Sequence, residues 1–375
     1  MKSMEGKLVV ALEQAVAAPL CTSRLADAGA RVIKIERRES GDFARHYDEV
    51  VNGQSAYFVW LNRGKQSLEL DIKNSGDLEV LNNILAQADV FIQNLVPGAV
   101  DKIGLDSKTL QKKFPQLVIC EISGYGESGP YRDMKAYDLL VQAESGLASI
   151  TGAVESPGRV GVSVCDIAAG MNALSGILLA LLEREQTGYG QTVKVSLFDG
   201  MSDWMTVPLM HYEYGGQAPV RVGLNHPSIA PYGVYTSGQG ESVLISIQNE
   251  REWQLFCDEI LKMPGLAQQP EYASNTQRVK NRPGLDELIN EVFARYDTSE
   301  LTSRLKSASI AFGMLNDVAH LSEHAQLKRK SVLTESGVVK LVDSPLRMGD
   351  QTGDFGAVPA LGEHNDLIRD EFSGP

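Results

Sequence analysis

Asp166 is a lone carboxylate between the apolar-leaning segment Val160-Gly-Val-Ser-Val-Cys165 and the uncharged run Ile167-Ala-Ala-Gly-Met-Asn-Ala-Leu-Ser-Gly-Ile-Leu-Leu-Ala-Leu-Leu182. Such a run predicts a core helix that starts at Asp166, and Asp is a favoured N-cap. The positive end of the helix dipole then predicts a carboxylate that stays charged even when partly enclosed. A fixed, desolvated carboxylate can serve as a nucleophile. The same residues also fit a plainer role, a cap on a buried helix, and the rest of the chain has to decide between the two.

Other reactive side chains point less clearly. Gly124-Tyr-Gly-Glu-Ser-Gly129 has the G-x-G-x-x-G spacing of a dinucleotide turn and follows a predicted strand. Pro130 follows at once and the motif lies deep in the chain, so a glycine-permitted turn beside a ligand is the better reading. Arg37, Arg38, Lys65 and Lys102 each fall near a predicted strand end. Together with the small-residue loop Val16-Ala-Ala-Pro19 they suit a phosphorylated, nucleotide-like ligand. His320-Leu-Ser-Glu-His324 has the spacing of a metal pair, but no third ligand can be assigned to it, and a surface role fits better. There is no G-x-S-x-G elbow for a serine hydrolase. The four cysteines are scattered, which favours neither a metal knuckle nor a disulfide framework, and a reducing cytoplasm is expected.

The elements that must position these groups alternate along the first 200 residues. Strands are expected at 7–12, 31–35, 67–71, 90–93, 117–122 and 192–197, and helices at 22–28, 77–88 and 107–114. That rhythm predicts an α/β fold with a parallel sheet covered by helices on both faces and a ligand at the carboxyl ends of the strands. The pattern changes near residue 200. A large domain over 1–200, a smaller α+β domain over 201–325 and a tail over 326–375 are expected. The 375 residues are 43% hydrophobic, enough for a real core, and the net charge of −13 argues against nucleic acid or an anionic membrane as the main partner. Glu13 interrupts the N-terminal apolar stretch and Glu5 sits where a signal peptide has its basic region, so the N-terminus does not read as a signal peptide.

Four segments carry a further likeness: Arg31-Val-Ile-Lys-Ile-Glu-Arg-Arg-Glu-Ser-Gly-Asp42, Asn62-Arg-Gly-Lys-Gln-Ser-Leu-Glu-Leu-Asp71, Ala88-Asp-Val-Phe-Ile-Gln-Asn-Leu-Val-Pro-Gly98 and Gly124-Tyr-Gly126. With Asp166, the loop His226-Pro-Ser-Ile-Ala-Pro-Tyr232 and the closing Leu361-Gly-Glu-His364, they resemble the class III CoA-transferases over nearly the whole chain. The resemblance implies a Rossmann-like large domain, a small domain and an interlocked homodimer. It assigns the nucleophile to Asp166 and the coenzyme A site to Val16, Ala18, Arg38, Lys65, Asn94, Leu95, Lys102, Gly124 and Tyr125. It implies no metal. Substrates would be an acyl-CoA and a small carboxylic acid, for which a short dicarboxylate is expected, with Tyr137, His226 and Gln248 as candidates to hold it. The reaction expected is exchange through an aspartyl-acyl anhydride and an aspartyl-CoA thioester. The racemase branch of this family carries histidine where this chain has Tyr137, and a phenol with a pKa near ~10 exchanges an α-proton poorly at neutral pH. That departure favours acyl transfer over an α-methylacyl-CoA racemase or epimerase; a non-catalytic CoA-binding protein is the other alternative.

Overall fold

The computed structural model describes residues 2–346 and 353–373, so Met1, residues 347–352 of the expected tail and the last two residues lie outside the described residues. The chain divides into two compact units, one formed by Met1–Leu147, Arg159–Val207 and Lys328–Pro375, the other by Ala148–Gly158 and Pro208–Leu327.

The strands of the first unit are β1 (Leu8–Leu12), β2 (Arg31–Glu36), β3 (Lys65–Glu69), β4 (Val90–Gln93), β5 (Val118–Ser123) and, beyond a short hairpin β6 (Gly152–Ala153) and β7 (Ser156–Pro157) of the second unit, β8 (Thr192–Ser196). They form one parallel sheet in the order β3-β2-β1-β4-β5-β8. Because the order reverses at β1, the crossovers to β2 and β4 leave in opposite directions and open a crevice at the strands' carboxyl ends. Strand side chains alternate between two cores. Val9 and Ala11 of β1 face one cluster, with Val32, Ile92 and Cys120, while Val10 and Leu12 face the other, with Ile33, Phe91 and Ile119. Burial on both faces explains why β1 and β4 are nearly unbroken apolar runs.

The first core is closed by α1 (Ala17–Asp27) and, further along the chain, the 24-residue helix Val164–Thr187. The expected start of α1 at residue 22 is five residues late. Ala17-Ala18-Pro19 is the first helical turn, not a loop, because proline is tolerated where the backbone N–H has no intrahelical partner. The long helix packs on α1 at Gly170, where an added Cβ would stand 2.5 Å from the Ala17 carbonyl oxygen and 3.1 Å from Leu20 Cβ. By length and hydropathy it passes as a membrane span, yet Ala169, Ala173, Ile177 and Leu181 are buried in the core of the unit.

α2 (Ala56–Leu61) packs through Leu61 on Val16 and Leu20 and through Phe58 and Val59 on Val332 and Val358, and the other core is covered by α3 (Ser75–Leu85) and α4 (Ser107–Lys113) over the sheet. Here the C-terminal segment returns to edge strand β3. His364 N–H donates to the Ser67 carbonyl at 3.1 Å, Glu69 N–H donates to Asn365 Oδ1 at 2.8 Å, and Arg369 Nη2 donates to the Glu69 carbonyl at 3.0 Å. Ile368 and Phe372 of this segment are buried beside Leu81, Ile84 and Leu85. A sheet edge left open would template pairing with another chain, and this tail covers it.

The second unit has its own core. Strands β9 (Tyr232–Thr236), β10 (Ser242–Ser246) and β11 (Ala311–Met314) form an antiparallel sheet in the order β11-β10-β9. Helices Arg282–Phe293 and Thr298–Ser307 pack on it through Leu285, Ile289, Phe293, Leu301 and Leu305.

Candidate active site

A cavity of about 1300 Å³ lies in the first unit at the carboxyl ends of its strands. Residues just past each strand line it: Glu13 after β1, Arg37 after β2, Leu70 after β3, Asn94 after β4 and Gly124 after β5. Its volume is ample for an extended ligand of cofactor size. Gly124 must be glycine, because a Cβ there would stand 2.2 Å from Ala136 Cβ in the loop that forms the cavity's far wall.

Asp166 opens into this cavity. The long helix, α7 once α5 (Asp138–Glu144) and α6 (Leu147–Ile150) are counted, starts two residues before it, so Asp166 is the third helical residue and not the cap. Ser163 holds the cap position without a side-chain bond. The cap comes instead from α5, where Asp138 Oδ1 accepts the Cys165 N–H at 2.7 Å and the Asp166 N–H at 3.5 Å. The other Asp138 oxygen accepts from Gln142 Nε2 at 2.6 Å, and Gln142 Oε1 accepts the Val160 N–H at 2.9 Å. These bonds tie α5, the approach to α7 and the nucleophile candidate together.

The expectation that the helix dipole keeps Asp166 charged when partly enclosed is opposed by this geometry. Burial, and after it the neighbouring Asp138 carboxylate, push its pKa up to about 7. The favourable end of the helix is already occupied by Asp138, and enclosure outweighs what remains of the dipole. Tyr47, Tyr57 and Tyr137 also line the cavity. Burial, then the Asp42 and Asp166 carboxylates, push the Tyr47 hydroxyl up to about 12, so it remains a hydrogen-bond donor across the usable pH range.

The remaining expected residues divide. Val16, Arg38, Asn94, Leu95, Gly124 and Tyr137 line the cavity. Arg38 reaches it while its guanidinium holds Asp77 at 2.7 Å. Ala18, fully buried, does not line it, whereas Ala17 beside it does. Lys65 is fully buried away from the cavity, its ammonium 2.6 Å from Glu13 Oε1 and 3.0 Å from Asn62 Oδ1. The sequence reading places it just before a strand at 67–71, but β3 starts at Lys65 itself and its side chain is buried against Glu13. Lys102 lies exposed on the turn Asp101–Ile103, away from the lining. Tyr125 packs in the core against Tyr131 and Phe198 at ring distances of 5.6 and 5.8 Å. Gly126 N–H donates to Ser123 Oγ at 3.1 Å, which holds the turn that follows β5. His226 and Gln248 belong to the second unit. There His226 stacks on Tyr232 at 5.1 Å, and Gln248 N–H donates to Glu252 Oε2 at 2.8 Å. His320 and His324 are exposed, and among the described residues no group of three or more His, Cys, Asp or Glu side chains is placed to hold a metal.

Sequence reasoning missed Gln14, Asp42, Tyr47 and Lys73, all of which line the cavity. Gly41-Asp42 at the end of a matched segment was a signal for Asp42; nothing in the sequence marks Tyr47.

A family model described as CoA-transferase family III matches residues 4–365. The acetyl-CoA:oxalate CoA-transferase of Acetobacter aceti is 34% identical over 99% of this chain and 96% of its own length. The succinyl-CoA:glutarate CoA-transferase of Mus musculus is 33% identical over 89% of this chain and 77% of its own. Among solved structures, that of a CAIB/BAIF family protein from Brucella suis superposes with a TM-score of 0.83 at 32% identity, covering 99% of each chain.

Proposed function

The chain belongs to CoA-transferase family III, and from that premise we propose that it moves coenzyme A from an acyl-CoA thioester to a short dicarboxylic acid, with Asp166 as the nucleophile. The observation that carries the reading is Asp166 itself, a half-buried carboxylate at the start of α7 that faces a ligand-sized cavity and whose pKa burial pushes up to about 7. Oxalate and glutarate, named for the two relatives, are both dicarboxylates, which supports that class of acceptor.

The exchange is close to energy-neutral, because one thioester is consumed and another is made. The difficulty is kinetic. An ionised Asp166 oxygen adds to the thioester carbonyl, the C–S bond breaks, and CoA leaves as a thiolate from an aspartyl-acyl anhydride. The thiolate then adds to the Asp166 carbonyl of that anhydride, the donor acid departs as its carboxylate, and an aspartyl-CoA thioester remains. The acceptor carboxylate attacks this thioester to form a second anhydride, and the released thiolate attacks the acceptor's carbonyl, giving acceptor-CoA and free Asp166. Each step exchanges one activated acyl for another.

Carboxylates are weak nucleophiles, and two features of this site compensate. Nucleophilicity grows with basicity, so a carboxylate near 7 attacks better once ionised than one near 4. Holding it in near-attack geometry can lower the barrier by on the order of 7–11 kcal/mol. The α5–Asp138–Gln142 bonds support such a fixed geometry. Enclosure also keeps water from an anhydride that hydrolyses readily. The reading extends to a homodimer working in the cytoplasm.

The test is to incubate the protein with a panel of acyl-CoAs, quench with hydroxylamine or borohydride, and locate the modified residue by mass spectrometry. Modification at Asp166, with transfer abolished in Asp166→Ala, is expected. Modification elsewhere, or none with any donor while transfer proceeds, refutes the route.

A further inference from the structure

Between β1 and α1 the backbone adopts a conformation unusual for alanine: Ala15 has φ 62°, in the left-handed region that L side chains disfavour. Such a residue persists only where its surroundings fix it. Ala15 N–H donates to Asp42 Oδ1 at 3.1 Å. The preceding Gln14 is held on both backbone groups, donating to Asn94 Oδ1 at 2.9 Å and accepting from Asn94 Nδ2 at 2.8 Å.

Asp42 is 1% exposed. Its Oδ1 also accepts the Ala44 N–H at 2.9 Å, capping the turn Phe43–His46 that leads to Tyr47. Its Oδ2 accepts from Lys34 Nζ at 2.8 Å. One carboxylate therefore joins two walls of the cavity. Lys34 and Lys65 both reach Glu13 Oε1, at 3.4 and 2.6 Å, which closes a buried set of two cations and two anions. Buried ion pairs are poor devices for stability alone, since apolar replacements are often as stable. A set this enclosed, ending on a strained turn at the cavity wall, has a geometric use.

We propose that Asp42 is a positioning residue for acyl-CoA transfer, locking through the Ala15 N–H the left-handed turn that presents Gln14 and Val16 to the cavity. The inference rests on the cavity taking an acyl-CoA, and a backbone readout keeps the two claims apart. The double variant Lys34→Met/Asp42→Ala removes one cation and one anion and leaves Glu13 paired with Lys65. Faster amide hydrogen exchange over residues 14–17 is expected, with kcat/KM for acyl-CoA lower by about ten-fold or more, chiefly through KM, since α7 is untouched. Adding Ala15→Gly should restore most of both, because glycine takes the left-handed turn unaided. An ion pair that merely held the core together would show no such rescue. Unchanged exchange and kinetics in the double variant, or losses that Ala15→Gly leaves in place, overturn the proposal. Should the double variant not fold, Ala15→Val in the otherwise intact chain sets a β-branched residue in the turn. A comparable loss of kcat/KM with native circular dichroism then supports the proposal, and wild-type kinetics overturn it. A wild-type protein that transfers no CoA, yet whose 14–17 amides are protected in an Asp42-dependent way, would count against the function and not against the turn.

Discussion

A carboxylate whose pKa is pushed up to about 7, as at Asp166, must lose its proton before it can attack a thioester as proposed, so acidification should silence transfer while the protein is still folded. The rate kcat/KM is expected to fall on the acid side with an apparent pKa near 7, measured as a pH profile with saturating acceptor. Burial is the larger cause of that value and Asp138 the second, so Asp138→Asn should move the acid limb to lower pH without abolishing it. The same ionisation opposes folding. Asp166 is protonated in the folded chain up to about 7, while in the unfolded chain it ionises near ~4; ionising it in the fold therefore costs stability, progressively from about pH 4 to 7 and fully above. Asp166→Asn removes that cost. It should raise stability by on the order of 2 kcal/mol at pH 8 and by almost nothing at pH 4, read from denaturant midpoints at the two pH values. Asp166 itself was legible in the sequence because it stands alone between apolar segments. Its state was not, because the group that sets it, Asp138, is 28 positions away and meets it only in the fold.

The helices that carry these groups depend on one close approach. Where α7 crosses α1, Gly170 leaves room for the Ala17 carbonyl, and Gly170→Ala should cost about 1–3 kcal/mol and lower kcat/KM, as α1 is pushed from the wall that both Val16 and Asp166 share. Thermal melts and kinetics on the same preparation check it; full stability with full activity would contradict the packing described. Periodicity found the buried strands well: β4 was read at its observed bounds, since an unbroken Val-Phe-Ile run between turns has few other uses. It failed at polar starts. β3 begins two residues before the expected place because Lys65 looks like surface and is core, neutralised by Glu13 from another strand's end. The start of α1 was hidden by Pro19, a residue that ends helices in their interiors and opens them in their first turn. Ion pairing and close packing are pairwise and non-local, and a one-dimensional pattern does not contain them.

For the molecule as a whole, α7 carries a second message on its outward face, where Leu178, Leu179 and Leu182 are 43%, 67% and 62% exposed. A soluble chain rarely leaves such a stripe bare. The expected homodimer should appear in light scattering, and Leu178→Glu/Leu182→Glu should give monomers; monomeric wild-type protein at micromolar concentration would refute it. The closure of β3 by the C-terminal segment has a consequence in time. During synthesis every strand of the parallel sheet has left the ribosome well before residues 362–372 exist, so the nascent large unit must wait with one flank of its sheet bare. Emergence of that segment, more than of any strand, completes it. A chain stopped after Ala360 should therefore accumulate in inclusion bodies or on holdase chaperones even though Asp166 and the cavity wall are all encoded.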